Sequence, residues 1–476
     1  MVFSSFVFLC YFLPFVFIAY FCCRDLTRKN IFLLLSSLFF YGWAGPKYLF
    51  IMLFVIFFAY TGALSVSICN KKIYKNILLC LFLIFIFSFL FYFKYFNFCM
   101  NIFNDVYHKN LQLTQVVLPV GISFYTFQAV SYLVDVYRGM RPQKNPLNLA
   151  LYISLFPQLV AGPIVKYQTI ATALTQRKHS IQDVYEGITR FIVGLSKKIL
   201  IADTLAMSVD KIFETPIGEL SLSIVWLGIV FYAFQIYFDF SGYSDMAIGL
   251  GRVFGFRFLE NFNFPYISKS VTEFWRRWHI SLSSWFKEYV YIPLGGSRSG
   301  LRKTLRNLLI VFFLTGLWHG AEYTFVIWGL WHAFFIMMEK IIFWLKKVFS
   351  IEINLGFLNV LLKTFSWLYT FFVVVIGWVF FRSNNVTEAF LYLRALFNKV
   401  SFTPDFYAGY YVPEGSWFVF ALAVGLSLGF GKKLFDLMEK TPITRVIKDI
   451  LLFIYLFFCI VFLTATSFSP FIYFNF

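Results

Sequence analysis

Apolar runs long enough to cross the ~30 Å hydrocarbon core of a bilayer recur along the whole chain. The first is Val2–Cys23 and the last is Ile450–Leu463. Charged residues make up only 13% of the chain against 60% hydrophobic, about half the charged share of a soluble domain. No soluble domain of useful size is left over, and the chain reads as one integral-membrane domain, 1–476. Val2–Cys23 has no basic leader and no Ala-x-Ala site, so it is expected to stay as a helix rather than be cleaved.

The charge pattern orients the runs. Lysine and arginine outnumber the acids, 41 − 23 = +18, which in a soluble protein would suggest nucleic acid. Here the cations cluster after alternate runs, near 24–30, 69–76 and 138–148. That is the pattern of cytoplasmic loops, so no nucleic-acid partner is expected. Alternation puts the N-terminus and the tail 467–476 outside. The seven cysteines lie mostly in or beside apolar runs, with no Cys-x-x-Cys and no Cys/His ligand spacing. Neither a disulfide framework nor a metal site is expected.

Several stretches break the simple pattern. Leu149–Val165 is apolar but contains Pro157, Gly162 and Pro163, which interrupt a helix. It reads as a re-entrant segment lining a cavity or as a kinked span. Ile188–Leu205 carries Lys197 and Lys198 and reads as interfacial or as a short span. Asp239 and Asp245 sit inside the run Ile224–Leu250. Such carboxylates face a cavity or a partner, and Asp239 either serves a site or pairs with an arginine of a neighbouring helix. From Val271 to Tyr289, Phe274, Trp275, Trp278, Leu282, Trp285 and Phe286 recur at helical spacing opposite Arg276, Arg277 and Lys287. With a capping box at Ser270-Val-Thr-Glu273, this predicts one amphipathic interfacial helix of about five turns. His279 lies at the edge of its apolar face. The loop Gly295-Gly-Ser-Arg-Ser-Gly300, with Arg298, Arg302, Lys303 and Arg306, could hold phosphates; a plain positive-inside loop has the same composition.

The stretch Leu314–Phe335 is apolar enough for membrane depth yet carries His319, Glu322 and His332. Ionisable groups there are costly, and each is a functional-site hypothesis. His319 is the foremost candidate.

Four motifs then carry a resemblance: Pro157-Gln-Leu-Val-Ala-Gly-Pro163; Tyr237-Phe-Asp-Phe-Ser-Gly-Tyr-Ser-Asp245; Phe274-Trp-Arg-Arg-Trp-His-Ile-Ser-Leu282 with Tyr291-Ile-Pro-Leu-Gly-Gly296; and Gly316-Leu-Trp-His-Gly320. Their order resembles that of the membrane-bound O-acyltransferases, in the bacterial AlgI/PatA/DltB-like branch. The resemblance implies an all-α polytopic fold with a ring of about 11 tilted transmembrane helices. Re-entrant and interfacial helices would surround a central funnel, with a motif core at about 149–340. It implies that His319 is the catalytic histidine and His279 its companion, while His332 serves packing or support. Trp275, Arg276, Trp278, Trp318, Asp239 and Arg298 would bind substrate or donor. Acetyl-CoA would be the donor substrate, with no permanently bound cofactor. The end Phe471-Ile-Tyr-Phe-Asn-Phe476 resembles a terminal element of this branch. Tyr473 there is either an acetyl relay to a periplasmic SGNH-type partner or an interfacial aromatic anchor.

The resulting expectation is an inner-membrane O-acetyltransferase acting on peptidoglycan or an exopolysaccharide. D-alanyl transfer to teichoic acid, a transporter and a scaffold are the alternatives. A transporter would show paired halves, and no such pairing is seen.

Overall fold

In the computed structural model, all residues are described except 44, 115, 161, 299, 350–357, 399–407, 466–470 and 473–476. The regular structure of the described residues is all helical, without strands. In chain order the principal helices are α1 (Phe8–Cys22), α2 (Leu26–Gly42), α3 (Pro46–Ile68), α4 (Lys72–Tyr107), α5 (Ile122–Tyr137), α6 (Pro146–Ser154), α7 (Tyr167–Gln176) and α8 (Ile181–Ser196). There follow α9 (Asp203–Glu214), α10 (Leu222–Val253), α11 (Val271–Arg277), α12 (Ile280–Phe286), α13 (Leu301–His319) and α14 (Tyr323–Val348). The last are α15 (Leu358–Arg382), α16 (Val386–Phe397), α17 (Glu414–Ser427), α18 (Phe430–Met438) and α19 (Pro442–Ala465).

Six of the described helices are long and apolar enough to span a membrane, or seven if α17 and α18, bent by 76°, form one span. The ring of about 11 tilted helices that the family resemblance implies is neither met nor excluded by this count, which rests on length and composition alone. Runs with internal prolines, glycines or lysines fold instead as shorter pieces. Contacts divide the chain into two compact units.

The first unit comprises 1–194, 243–259 and 463–475. It centres on the rings of Phe3, Phe8, Phe12, Phe40 and Phe156. Leu149–Val165 is not a kinked span. α6 ends at Ser154, a single turn covers Phe156–Leu159, and irregular backbone follows. Nine residues of helix reach only ~14 Å. Backbone groups left over at such a break must find partners when buried. The Phe156 amide donates to Ser37 Oγ at 3.1 Å, and the Tyr152 hydroxyl donates to the Val165 carbonyl at 2.9 Å. Gly121, at φ +75°, lets α5 start against this segment, because a Cβ there would meet the Leu159 carbonyl at 2.6 Å.

A buried polar knot closes the same unit. Tyr20 gives its one proton to the Phe254 carbonyl at 3.1 Å and accepts from Arg177 Nε at 3.0 Å. His179 Nε2, 3.0 Å from the same hydroxyl, must therefore be a donor. Its Nδ1 is buried with no hydrogen-bond partner among the described residues. Burial first, then Lys29 and Arg177, lower the titration of His179 from 6.5 to about 4.

The second unit comprises 195–242, 260–462 and residue 476. Its tightest contact is between α13 and α14. A Cβ on Gly329 would lie 2.3 Å from the Phe312 carbonyl, and one on Gly316 would lie 2.4 Å from the Phe325 carbonyl. The two backbones touch, as small residues permit in membrane helix pairs.

Two predictions arise. Gly329→Ala should destabilise by about 1–3 kcal/mol and lower the melting temperature in detergent, while Gly218→Ala, with open space around it, should not. For His179 the folded titration point lies below the unfolded one. The unfolded chain then takes up a proton that the fold refuses, so stability falls as pH drops from 6.5 towards about 4. Thermal melts across that window should show the loss, and His179→Gln should flatten it.

Candidate active site

The site is built on Gly316-Leu-Trp-His-Gly320. Gly316 brings α13 onto α14, and α13 ends at His319. Gly320 continues in extended backbone at φ −161°. A Cβ on it would lie 2.1 Å from the Phe325 ring. The stretch Leu314–Phe335 is therefore two helices with a break at 320–322, and His319 sits at that break.

The His319 imidazole is 1% exposed. Its ring centroid lies 4.9 Å from Trp318, 4.9 Å from Trp328 and 5.2 Å from Phe381. Behind these, Trp378 lies 5.9 Å from Trp328 and 5.4 Å from Phe381. The His279 ring is 6.4 Å from that of His319, so the two expected histidines do meet.

His279 gets there by a route the amphipathic pattern does not show. The expected five-turn helix is two short ones, α11 and α12, broken at Trp278–His279. His279 adopts left-handed backbone, φ +44°, a conformation costly for any residue with a side chain. Asn261 holds it there. The Asn261 carbonyl accepts from Ile280 N at 3.0 Å. Its Oδ1 accepts from Ser281 N at 3.2 Å and Ser281 Oγ at 2.9 Å, and lies 3.1 Å from His279 Nδ1. An amide oxygen only accepts, so Nδ1 carries the proton and Nε2 the lone pair. Burial pushes the titration of His279 down to about 3, which keeps the ring neutral. Phe240 meets the ring edge-on at 4.7 Å.

The start of α11 is capped twice. Ser270 Oγ accepts from Glu273 N at 3.0 Å, the expected capping bond. Glu339 on α14 accepts from Val271 N at 2.6 Å and from Thr272 N at 3.0 Å. A carboxylate at a helix N-terminus is favourable, and this one ties α11 to the helix that faces His319.

Trp275, Trp278 and Trp318 join the same aromatic cluster. Trp318 is 5.7 Å from His279, Trp275 is 5.6 Å from Trp328, and Trp278 is 5.0 Å from Trp378. His332 packs against Trp275 and Trp328 at 5.2 and 5.1 Å, buried. Arg276 and Arg298 are exposed and do not enter the cluster. Asp239 is buried and pairs with Lys198 at 2.7 Å, while Asp203 takes the same ammonium at 2.6 Å. One partner is thus a lysine, on the π-helical stretch Lys197–Ala202. Tyr473 lies outside the described residues.

Sequence reasoning missed Asn261, Phe240, Trp328, Phe381 and Glu339. Only Asn261 carried a signal, as a loop asparagine close before Pro265.

Residues 143–381 match the membrane-bound O-acyltransferase family. The chain is 42% identical over 404 residues to a probable alginate O-acetylase of Pseudomonas aeruginosa, covering 84% of this chain and 75% of that protein. The chain belongs to the membrane-bound O-acyltransferase family. It is also 36% identical over 428 residues to a peptidoglycan O-acetyltransferase of Helicobacter pylori, covering 83% of this chain and 80% of that protein. It is 30% identical over 230 residues to a teichoic acid D-alanyltransferase of Bacillus subtilis, covering 45% of this chain and 57% of that one. As a membrane-bound O-acyltransferase, this protein is a multi-span enzyme that moves an acyl group onto a hydroxyl.

Asn261→Ala should free His279 to leave its strained backbone and lose the Nδ1–H tautomer. Acyl-transfer turnover should fall on the order of tenfold to a hundredfold, as for loss of an orienting hydrogen bond. The check is turnover alongside a melt, since Ser281 loses two bonds in the same variant.

Proposed function

We propose that this enzyme takes acetyl from acetyl-CoA and delivers it for O-acetylation of an extracytoplasmic polysaccharide, an alginate-like exopolymer or peptidoglycan. The observation that carries the reading is the meeting of His319 and His279 inside one aromatic cluster. The extent of similarity to acetyl-transferring relatives adds support, 84% of the chain against 45% for the D-alanyltransferase.

The chemistry suits an imidazole. His319 accepts the proton of the attacking hydroxyl, whose oxygen forms the new C–O bond at the thioester carbonyl. The C–S bond breaks, and the imidazolium returns the proton to the leaving thiolate. A buried imidazole favours its neutral, basic form. His279, held as the Nδ1–H tautomer, presents a lone pair beside it. Trp275, Trp278 and Trp318 wall the reacting groups. The exposed Arg298, with Arg302 and Lys303, meets the donor's phosphates. Asp239 supports the site through Lys198 rather than by touching substrate.

In this reading the basic loops are cytoplasmic, both termini face outward across the inner membrane, and no bound cofactor is needed. Tyr473 receives the acetyl group and passes it to a periplasmic SGNH-type partner.

Purified enzyme supplied with the periplasmic SGNH-type partner and an alginate oligosaccharide should release CoA from acetyl-CoA, and His319→Ala should lose at least about a thousandfold. Wild-type rates in a folded His319→Ala variant would refute the reading. In cells, Tyr473→Phe should abolish polymer acetylation while the protein still reaches the membrane; full acetylation would refute the relay.

A further inference from the structure

The first unit carries a pocket of its own at the start of α3. Helix α3 is long and apolar enough to span the membrane, and no side chain caps its first turn, where Lys47 stands. The unsatisfied amides and the dipole of such a turn favour an anion. Two side chains add to that preference. Lys47 is exposed, its ammonium lies 5.1 Å from the centre of the Tyr48 ring, and it has no carboxylate partner among the described residues. Tyr48 is only 8% exposed and lines the pocket, yet its hydroxyl has no hydrogen-bond partner among the described residues. A tyrosine buried to this degree ordinarily has one.

The walls are built rather than incidental. Tyr92 and Phe93 form one of them, on the π-helical turn Phe91–Tyr95 inside α4. Turns of this kind recur at functional sites. Val116 and Val117 form another. The segment that carries them is tied back to α4 by Asn97. Its Nδ2 donates to the Thr114 carbonyl at 2.8 Å, and its Oδ1 accepts from Thr114 N at 3.1 Å. The space enclosed is about 340 Å³, within the range of small-ligand sites. No acidic side chain of the described residues lines it.

The surface below the pocket narrows the class of ligand. Phe50, Phe54 and Phe57 follow Lys47 on the same face of α3, and all three are more than half exposed. Ten residues of helix rise ~15 Å, half of the ~30 Å hydrocarbon core and so the depth of one leaflet. A cation and a hydroxyl at the water boundary, above an apolar stripe one leaflet deep, match the two ends of a phospholipid. A soluble phosphate or an acidic sugar would leave the stripe unused. Lys47 opposes the ammonium of a zwitterionic headgroup, with no acid in the lining to offset it.

We infer that this pocket holds the phosphate of one anionic phospholipid, whose acyl chain lies along Phe50, Phe54 and Phe57. Lys47 meets the phosphate charge, and the Tyr48 hydroxyl donates to a phosphate oxygen. The site stands apart from the reaction at His319. With the basic loops cytoplasmic, it opens to the extracytoplasmic leaflet.

Native mass spectrometry tests this on the purified full-length protein. The protein is titrated in detergent with phosphatidylglycerol or with phosphatidylcholine of the same acyl chains, and the first retained lipid is followed. Phosphatidylglycerol should bind at least about fivefold more tightly. Lys47→Ala should weaken that binding about fivefold and abolish the preference. Tyr48→Phe, which keeps the ring, should weaken it about threefold to tenfold. Lys433→Ala, which removes an exposed cation of α18, should leave it unchanged. Millimolar inorganic phosphate and an alginate oligosaccharide should both fail to displace the lipid. Equal retention of the two lipids would overturn the inference, as would unchanged affinity in either the Lys47 or the Tyr48 variant. Lys47 would then be an ordinary interfacial anchor. Displacement by phosphate would assign the pocket to a soluble anion, and displacement by the oligosaccharide to a sugar; either result overturns the lipid assignment.

Discussion

Two backbones touching at Gly316 and Gly329 set the geometry of the second unit. With no side chain between them, α13 and α14 approach until the Phe312 carbonyl stands where a Gly329 Cβ would be. That approach puts Trp328, one residue before Gly329, against the last residue of α13, which is His319. It also places Glu339, further along α14, at the start of α11. One helix thus positions both the wall of the His319 imidazole and the segment that carries the second histidine.

The second constraint is polar. His279 occupies a backbone conformation that a residue with a Cβ adopts only under duress. Three groups converging on Asn261 Oδ1, and Ile280 N on its carbonyl, hold that conformation. The strain and the tautomer have the same cause. A neutral imidazole with a defined lone pair, next to another imidazole in an aromatic enclosure, is suited to proton transfer in a dry site. The Lys198–Asp239–Asp203 cluster plays a different part. Two carboxylates offset one buried ammonium, and Phe240, the residue after Asp239, meets the His279 ring.

Much of this was legible in the chain. Apolar run lengths showed a polytopic helical protein, and the cost of burying ionisable groups singled out His319. Ser270 capped its helix as its spacing required. What stayed hidden was whatever depends on partners distant in sequence. Phe274, Trp275, Trp278 and Leu282 keep helical spacing through the break at His279, so periodicity could not reveal it. Asn261 looked like an ordinary loop residue, because its role is defined only once Ile280 and Ser281 return to it. Asp239 was read as either serving a site or pairing with an arginine; the lysine it meets lies on a π-helical turn, which no local pattern announces. Pro157 and Gly162 did announce the interruption of Leu149–Val165, but not where each helical piece would end.

The most direct measurement places a single cysteine at 319 in a background whose seven native cysteines are replaced. Its labelling by a small thiol reagent is then followed with and without a non-hydrolysable acetyl-CoA analogue. If the donor's thioester is brought to this position, the cysteine reacts and the analogue protects it. A cysteine that never reacts in the folded protein, or that reacts at the same rate with the analogue bound, would contradict the account.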